Sequence, residues 1–397
     1  MTLLSEHKAH LRRERHFGAL YSAMIFLSLH WAIVVYVNSS YLEQYLPEMV
    51  IGTLYTISSA ITVLIFLFIS RVLHKAGNYM LTLVLALLEF GMLLGMAFTQ
   101  EWRLAIPLFM VHQAIVPLLV FNLDVFMEEM IGDEEHSTGG KRGLFLGIGS
   151  IAYAIAPLTA GFLMGEQEAF EYVYLAGALL MLPFIYLIVR YFKVFTDPVY
   201  AEIKVLPAIH SFWAQKDIRY VFLAHFLLQL FFAFMVIYTP LYLANVVGFT
   251  WTQIGLVLFV GLLAYVFLEY PIGVIADRYL GEKEMMAFGF VILAVSTSWF
   301  VWLSGATLTA WMVVMFMTRV GASLVEATTE SYFFKHIDGS DANIISFFRI
   351  TRPLAIVAGA LLGSFCLLYM PLNLLFVVVG FFMVPGLFFT MMLKDTK

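Results

Sequence analysis

The segment GVIADRYLGEKE, residues 273–284, places a dense group of charges in an otherwise apolar part of the chain. Its charged residues are Asp277, Arg278, Glu282, Lys283 and Glu284. Two glycines, Gly273 and Gly281, frame this charged turn. Because a charged side chain is costly inside a bilayer, the pattern predicts two membrane-spanning helices joined by a turn at the membrane surface.

The composition extends this prediction to the whole chain. Hydrophobic residues make up 62% of the 397 residues and charged residues 12%, and the mean hydropathy is +0.91. A soluble protein carries about a quarter charged residues, so we expect an integral membrane protein that crosses the bilayer many times. The single cysteine, Cys366, excludes an internal disulfide. No small-residue cleavage site follows the first apolar run, so we interpret the basic N-terminus as a retained cytoplasmic tail.

Twelve apolar runs are long enough to cross a bilayer, which takes about 20 residues. Their approximate bounds are 17–40, 50–72, 79–99, 104–130, 144–165, 171–191, 219–244, 253–276, 285–304, 308–334, 343–368 and 372–393. A more polar segment divides the runs into two sets of six. The sequence thus predicts an N-terminal six-helix bundle at 1–191, a cytoplasmic linker at 192–218 and a C-terminal six-helix bundle at 219–397.

The distribution of basic residues supports this membrane topology. Of the 22 lysines and arginines, 18 fall on the side of the N-terminus. Arg103 falls on the opposite side, and the other three lie inside predicted spans. Cytoplasmic loops carry an excess of Lys and Arg, so we expect both termini and the linker in the cytoplasm. We expect the protein in the cytoplasmic (inner) membrane of a bacterium.

The span organisation and the opening motif together resemble the major facilitator superfamily. That family's signature between spans 8 and 9 reads G-x-L-A-D-R-x-G-R-R. Gly273, Asp277 and Arg278 match it, with one extra residue before Gly281. The resemblance covers nearly the whole chain and implies an all-α polytopic membrane protein, with twelve transmembrane helices arranged as two six-helix bundles.

For this motif the resemblance implies a gating role at the cytoplasmic face. Asp277 is expected to lie against the positive N-terminus of span 11, and Gly273 to permit close helix packing. We assign Arg278 to the same gating group, together with Arg349 and Arg352 of span 11. The alternative is that the motif is an ordinary charged turn.

Ionisable residues inside the spans are the other functional candidates, because their insertion is costly. Arg319, Glu326 and Glu330 of span 10 are separated by seven and four residues, which places them on one helical stripe. Our hypothesis is that Arg319 binds substrate, Glu326 carries a coupling proton and Glu330 braces the fold. Glu269 in span 8 lies at a depth comparable to that of Glu330. Structural pairing alone is the alternative for these acids.

The first half offers fewer candidates. We assign His30 of span 1 and Asp124 of span 4 to the substrate and coupling group. Asp124 is expected to mirror Glu330 if the two halves are repeats. We interpret His112 and His225 as hydrogen-bonded packing residues.

The function that these features favour is secondary active transport. The chain is predicted to move a small organic solute by alternating access, coupled to protons. A uniporter is the weaker form of the same class, and a non-transporting sensor or scaffold is the alternative class. No Walker loop, nucleophile elbow or clustered metal ligands are visible, so we expect neither an enzyme nor a cofactor or metal. We expect a monomer in a lipid bilayer without nucleic acid. The sequence leaves open whether the solute is an anion or a lipophilic cation.

The topology makes a direct prediction. In a background without Cys366, single cysteines at positions 204 and 283 should escape a membrane-impermeant thiol reagent added outside, whereas one at position 307 should react. The reverse labelling pattern would contradict the twelve-span topology.

Overall fold

The computed structural model describes residues 2–131, 135–165, 168–197, 213–276, 280–335, 348 and 350–394. Within these ranges some residues are described by their backbone alone, among them residues 2–13 and Glu269. The predicted linker at 192–218 falls largely on residues that are not described.

The first half of the chain folds into helices that match the predicted spans, with one additional short helix. Their bounds are Thr2–Val35 (α1), Asn38–Glu43 (α2), Glu48–Ala76 (α3), Asn78–Phe98 (α4), Trp102–Ile131 (α5), Glu135–Met164 (α6) and Phe170–Tyr191 (α7). α1 and α2 together form the first span, which is interrupted at Tyr36 and Val37.

The second half repeats this pattern. Its helices are Lys216–Ile237 (α8), Thr239–Asn245 (α9), Trp251–Ile275 (α10), Glu282–Ser298 (α11), Leu308–Lys335 (α12), Thr351–Leu367 (α13), Leu372–Met383 (α14) and Pro385–Met391 (α15), with a short 3₁₀ turn at Trp299–Trp302 after α11. The pair α8 and α9 corresponds to the pair α1 and α2, because each begins its half with a long helix followed by a short one.

The apolar helices of the described residues account for the twelve predicted spans. Nine are long and apolar enough to cross a membrane. Three shorter apolar helices, Val50–Phe66, Ile151–Met164 and Thr351–Leu367, supply the second, fifth and eleventh spans. The predicted all-α membrane fold is confirmed.

Two glycines occupy matching turns in the two halves. Gly281, within the charged segment, has φ +82° and ψ 160° and is the N-cap residue of α11. Gly77, between α3 and α4, has φ +74° and ψ 155°. This region of backbone space is essentially restricted to glycine, so each turn requires its glycine. The carboxylate of Asp197 accepts the backbone N–H of Asn78 at 2.7 Å and caps the start of α4.

Close packing joins the two halves at the face remote from the termini. The end of α6 crosses the start of α10 through Gly161 and Gly255: a Cβ on Gly255 would lie 3.1 Å from the Cα of Gly161 and overlap the carbonyl oxygen of Pro157. Beside this crossing Phe170 packs edge-to-face against Trp251 at 5.8 Å.

A second crossing, of α3 with α13, lies at the same face. A Cβ on Gly52 of α3 would lie 2.7 Å from the carbonyl oxygen of Ala360 in α13. Nearby, Asn245 of α9 donates to the carboxylate of Glu43 in α2 at 2.6 Å. Helix backbones approach this closely only where small residues remove the side chains between them. The contacts close the remote face of the molecule.

Replacing Gly255 with Ala tests this closure. The added methyl group meets backbone atoms of Gly161 and Pro157, which cannot rotate away as a side chain would. Overpacking of this kind costs about 1–3 kcal/mol, so we expect a lower melting temperature and faster thiol labelling of a cysteine placed at Thr252.

The matched control is Gly91→Ala on α4, where a Cβ meets nothing within 4 Å. Alanine is the better helix former, so this variant should be as stable as the parent or more so. Equal melting temperatures for the Gly255 variant and the control would show that the α6–α10 crossing does not hold the halves together.

Candidate functional site

Arg319 lies in the middle of α12, and 2% of its surface is exposed. Its guanidinium carbon lies 5.5 Å from the ring centre of Phe231 on α8. Its Nε and Nη1 atoms donate to no acceptor among the described residues. A buried charge is normally paired, so this guanidinium has hydrogen-bonding capacity that the described part of the chain does not use.

Arg352, near the start of α13, reaches across to the other half of the molecule. Its guanidinium carbon lies 4.7 Å from the ring centre of Trp31 on α1. Trp31 in turn packs edge-to-face against Tyr153 of α6 at 5.2 Å. The charge of Arg352 also acts on the phenols of Tyr36 and Tyr153. An arginine over an aromatic face is stabilised by the ring quadrupole, so this contact ties α13 to the first half.

The two arginines share Tyr36 as a neighbour. This residue is 5% exposed and lies at the interruption between α1 and α2, and the charges of both Arg319 and Arg352 act on its hydroxyl. We call Arg319, Arg352, Trp31, Tyr36 and Tyr153 the arginine seam. The seam brings two cations of the second half against three aromatic rings of the first, at the boundary where the halves meet.

A second cluster lies inside the first half and joins three helices. One oxygen of Glu89 on α4, Oε1, lies 2.9 Å from Nε2 of His30 and 2.5 Å from Nδ1 of His112. All three residues are 0% exposed. The other oxygen of Glu89, Oε2, has no hydrogen-bond partner among the described residues. We call these three side chains the His–Glu–His cluster.

The cluster continues through hydrogen bonds to neighbouring helices. Nδ1 of His30 lies 2.7 Å from the carbonyl oxygen of Leu27. Nε2 of His112 lies 3.5 Å from Nδ2 of Asn38 on α2, and the hydroxyl of Tyr174 on α7 donates to Oδ1 of Asn38 at 2.8 Å. Side chains from α1, α2, α4, α5 and α7 therefore meet in one buried polar chain.

His225 on α8 has both ring nitrogens occupied by neutral groups. Nδ1 lies 3.1 Å from the hydroxyl of Thr329 and Nε2 lies 3.2 Å from the amide nitrogen of Gln229. The hydroxyl of Thr329 donates onward to the carbonyl oxygen of Glu326. This arrangement fits the packing interpretation made for His225.

The remaining predicted site residues are less closely grouped in the described part of the chain. Glu326 and Glu330 are half-buried on α12 and Asp124 is half-buried on α5, and each has interactions of its own. Gly273 lies in α10. The side chains of Glu269, Asp277, Arg278 and Arg349 fall outside the described residues. The roles assigned to these residues from the sequence stay predictions.

Sequence reasoning placed Glu89 inside the third span without assigning it a role, and it interpreted His112 as a hydrogen-bonded packing residue. The three members of the cluster are 59 and 23 residues apart along the chain and lie on different helices. Each is an ionisable residue near the middle of its span, and this common depth was the one available signal.

The His–Glu–His cluster is also the only set of metal-binding residue types found in the described ranges, with ligand atoms within 4.8 Å of one another. Imidazole and carboxylate are donors that many transition metals accept. Here, however, both imidazoles direct a nitrogen at the same carboxylate oxygen at hydrogen-bond length. The geometry therefore corresponds to a hydrogen-bonded cluster.

Two bundles that meet at a polar seam define a membrane protein of the transporter class. The family model of the Major Facilitator Superfamily matches residues 19–339 and, in a second match, residues 221–397. The chain belongs to the Major Facilitator Superfamily. A search of curated proteins finds no match.

Solved structures of transporters share the fold at low sequence identity. The nucleoside transporter NupG, in a point-mutant form, has a TM-score of 0.74 at 12% identity, covering 96% of this chain and 100% of that one. A bacterial homologue of the iron transporter ferroportin in an inward-facing state has a TM-score of 0.72 at 15% identity, covering 95% and 97%. An autoinhibited peptide transporter of the POT family has a TM-score of 0.77 at 10% identity, covering 96% and 98%.

The hydrogen bond from Tyr174 to Asn38 predicts a stability difference between two tyrosines of α7. Tyr174→Phe leaves the buried Asn38 oxygen without its donor, which costs about 1–3 kcal/mol, so we expect a lower melting temperature. Tyr186→Phe removes a hydroxyl from a side chain that is 64% exposed, and its melting temperature should not change. Equal melting temperatures for both variants would show that the Asn38 contact contributes little.

Proposed function

We propose that this protein is a secondary active transporter that moves a small organic anion across the membrane by alternating access, coupled to protons. The observation that carries the proposal is the buried guanidinium of Arg319, whose Nε and Nη1 have no acceptor among the described residues. A ligand that brings an acceptor to this position supplies the missing partner.

The position of the arginine seam supports a transport role. In this superfamily's architecture, substrate sites are expected near the bilayer midplane at the interface between repeats. Arg319 belongs to α12, Arg352 to α13 and Tyr36 to the interruption that follows α1. A solute bound between them touches both halves, so a rocking motion of one half against the other changes its surroundings.

The charge of the seam supports an anion over a cation. Two guanidinium groups act on one phenol, that of Tyr36, and no carboxylate of the described residues pairs with Arg319. A buried cation is normally paired with an anion, so an anionic solute suits the position beside Arg319. A lipophilic cation there would meet a like charge, which is unfavourable.

The rings of the seam support a solute with a flat surface. Trp31 and Tyr153 lie edge-to-face, and Arg352 already covers one face of Trp31. Aromatic side chains stack on planar groups at offset or edge-to-face geometry. A carboxylate attached to a ring satisfies both the guanidinium groups and the aromatic walls.

Proton coupling is the part of the proposal that gives the transporter its driving force. Burial favours the neutral form of a carboxyl group, whereas a nearby cation favours its charged form. A buried carboxyl group with such neighbours can exchange a proton when its surroundings change. Glu89 is fully buried, and Glu326 is half-buried on the helix that carries Arg319.

Three probes separate the features of the solute. Radiolabelled orotate carries a carboxylate on a planar ring, lactate carries a carboxylate without a ring, and uridine carries a ring without a carboxylate. We expect counterflow in proteoliposomes for orotate above lactate, and none above background for uridine. Uridine exchange without orotate exchange would contradict an anion site. Absence of counterflow for every probe, including a wider set of organic anions, would favour the sensor or scaffold alternative.

Replacing Arg319 with Lys tests the residue that carries the proposal. Lysine keeps the charge but loses the planar fork that binds a carboxylate through two bonds. Losing one good charged contact costs about 1.5–3 kcal/mol, so we expect orotate binding to weaken by roughly tenfold or more. The matched control is Arg103→Lys, where the arginine is exposed and lies over Trp102. A folded Arg319 variant with unchanged orotate affinity would remove this residue from the binding site.

A further inference from the structure

The hydrogen bonds around the His–Glu–His cluster determine how many protons it holds. The carbonyl oxygen of Leu27 only accepts, so the 2.7 Å contact from His30 requires a proton on Nδ1 of that ring. A neutral imidazole carries one N–H. His30 in its neutral form therefore presents a bare lone pair at Nε2, which is the atom that faces Glu89.

The tautomer of His112 follows from the same assignment of hydrogen-bond donors and acceptors. The hydroxyl of Tyr174 donates to Oδ1 of Asn38, so the amide nitrogen of Asn38 points at Nε2 of His112. An amide nitrogen only donates, so Nε2 of His112 is an acceptor. His112 thus carries its proton on Nδ1 and donates it to Oε1 of Glu89.

The contact between His30 and Glu89 then lacks a proton. A lone pair on Nε2 of His30 would face a lone pair of the carboxylate at 2.9 Å, which is repulsive. One additional proton removes the repulsion, either on the ring as an imidazolium or on the carboxyl as an acid. The total is the same in both forms: with that proton the cluster is neutral, and without it the cluster carries one negative charge.

His225 provides an internal comparison. Gln229 donates to its Nε2, and its Nδ1–H donates to the hydroxyl of Thr329, which donates onward to a carbonyl. Every contact of His225 is satisfied by the neutral ring, so no additional proton is needed. The requirement for an extra proton is therefore specific to the His–Glu–His cluster and not a general property of the buried histidines compared here.

Nothing else in the described surroundings of the cluster offsets a negative charge. The neighbouring titratable groups are phenols: Tyr174 on α7, and around it Tyr41, Tyr45 and Tyr55. Phenols are neutral near physiological pH. An unpaired carboxylate at full burial is strongly disfavoured, so the proton is retained while the cluster is closed to water. It leaves only when another conformation admits water or a new partner.

The first span connects the cluster to the arginine seam. His30 belongs to the cluster and the adjacent Trp31 lies under Arg352. At the interruption between α1 and α2, Tyr36 faces the arginines and Asn38 binds His112. A tilt of α1, or a change at the interruption, therefore displaces residues around the His–Glu–His cluster and residues of the arginine seam at the same time.

We propose that the His–Glu–His cluster is the site that binds the coupling proton, and that the first span transmits its release to the arginine seam. This inference rests on the proposed transport function. It assigns the proton to Glu89 and His30 and not to Glu326, and it gives His112 and Asn38 the role of positioning residues.

The first test needs no substrate. Infrared difference spectra between acidic and alkaline pH, with NMR of isotope-labelled histidine, follow carboxyl and imidazolium groups in purified protein in lipid. We expect the wild type to lose one proton from this cluster. Glu89→Gln should lack that signal, because an amide neither titrates nor carries the negative charge that the additional proton neutralises. Glu326→Gln, the same exchange on α12, should retain it.

The second test measures coupling with orotate in proteoliposomes. An imposed pH gradient should drive orotate accumulation in the wild type and in the control Glu101→Gln, whose side chain is exposed, but in Glu89→Gln orotate should only equilibrate. Counterflow, which needs no net proton movement, should persist in all three. Absence of counterflow in the wild type would count against the transport proposal, whereas the spectroscopic test would still decide the proton assignment.

Three results would overturn the inference. One is normal gradient-driven accumulation in a folded Glu89→Gln variant. Another is loss of accumulation in Glu326→Gln alone. The third is a transition metal bound at one per protein in the wild type and missing from Glu89→Gln, which would make the cluster a metal site. Should Glu89→Gln fail to fold, NMR of the wild type with the resonances of His30 and His112 assigned decides alone, and the absence of any pH-dependent change at both rings would refute the proposal.

Discussion

A charge inside the bilayer must find a partner or lie where a partner can enter, and this constraint organises the polar interior of the protein. Glu89 meets it through hydrogen bonds with two buried histidines. Arg352 meets it by lying over Trp31 of the opposite half. Arg319 meets it only in part, because Nε and Nη1 lack acceptors among the described residues. The degree of pairing thus separates a self-contained cluster from a buried cation with unused hydrogen-bonding capacity.

The two polar sites are mechanically linked by the first span. His30 and Trp31 are neighbours in sequence, but successive helical residues point about 100° apart, so one faces the cluster and the other the seam. The interruption at Tyr36 and Val37 repeats this division, with Tyr36 toward the arginines and Asn38 toward His112. Irregular backbone at membrane depth is tolerated where it is surrounded by protein. Its position between two sites makes it a natural point of conformational change.

Glycine contacts determine which face of the molecule is closed. Gly161 and Gly255 join α6 to α10, and Gly52 joins α3 to α13, all at the face remote from the termini. At this spacing the backbones pack without intervening side chains. Arg352 is exposed although it contacts the opposite half. The two halves therefore meet backbone to backbone at the remote face and through side chains at the arginine seam.

The sequence alone determined the membrane class, the number and order of the spans and the turn at Gly281, because hydropathy, basic-residue asymmetry and glycine geometry are local properties of the chain. It also singled out Arg319 and His30, since an ionisable residue within an apolar run is visible without a fold. Only the tertiary structure decided which charges meet. It placed Glu89 between His30 and His112, and it placed Arg352, assigned from the sequence to a gating group, over Trp31. Those contacts depend on side-chain direction and helix packing between residues 23 or more positions apart in the chain, and neither is encoded in the spacing of residues within a single span.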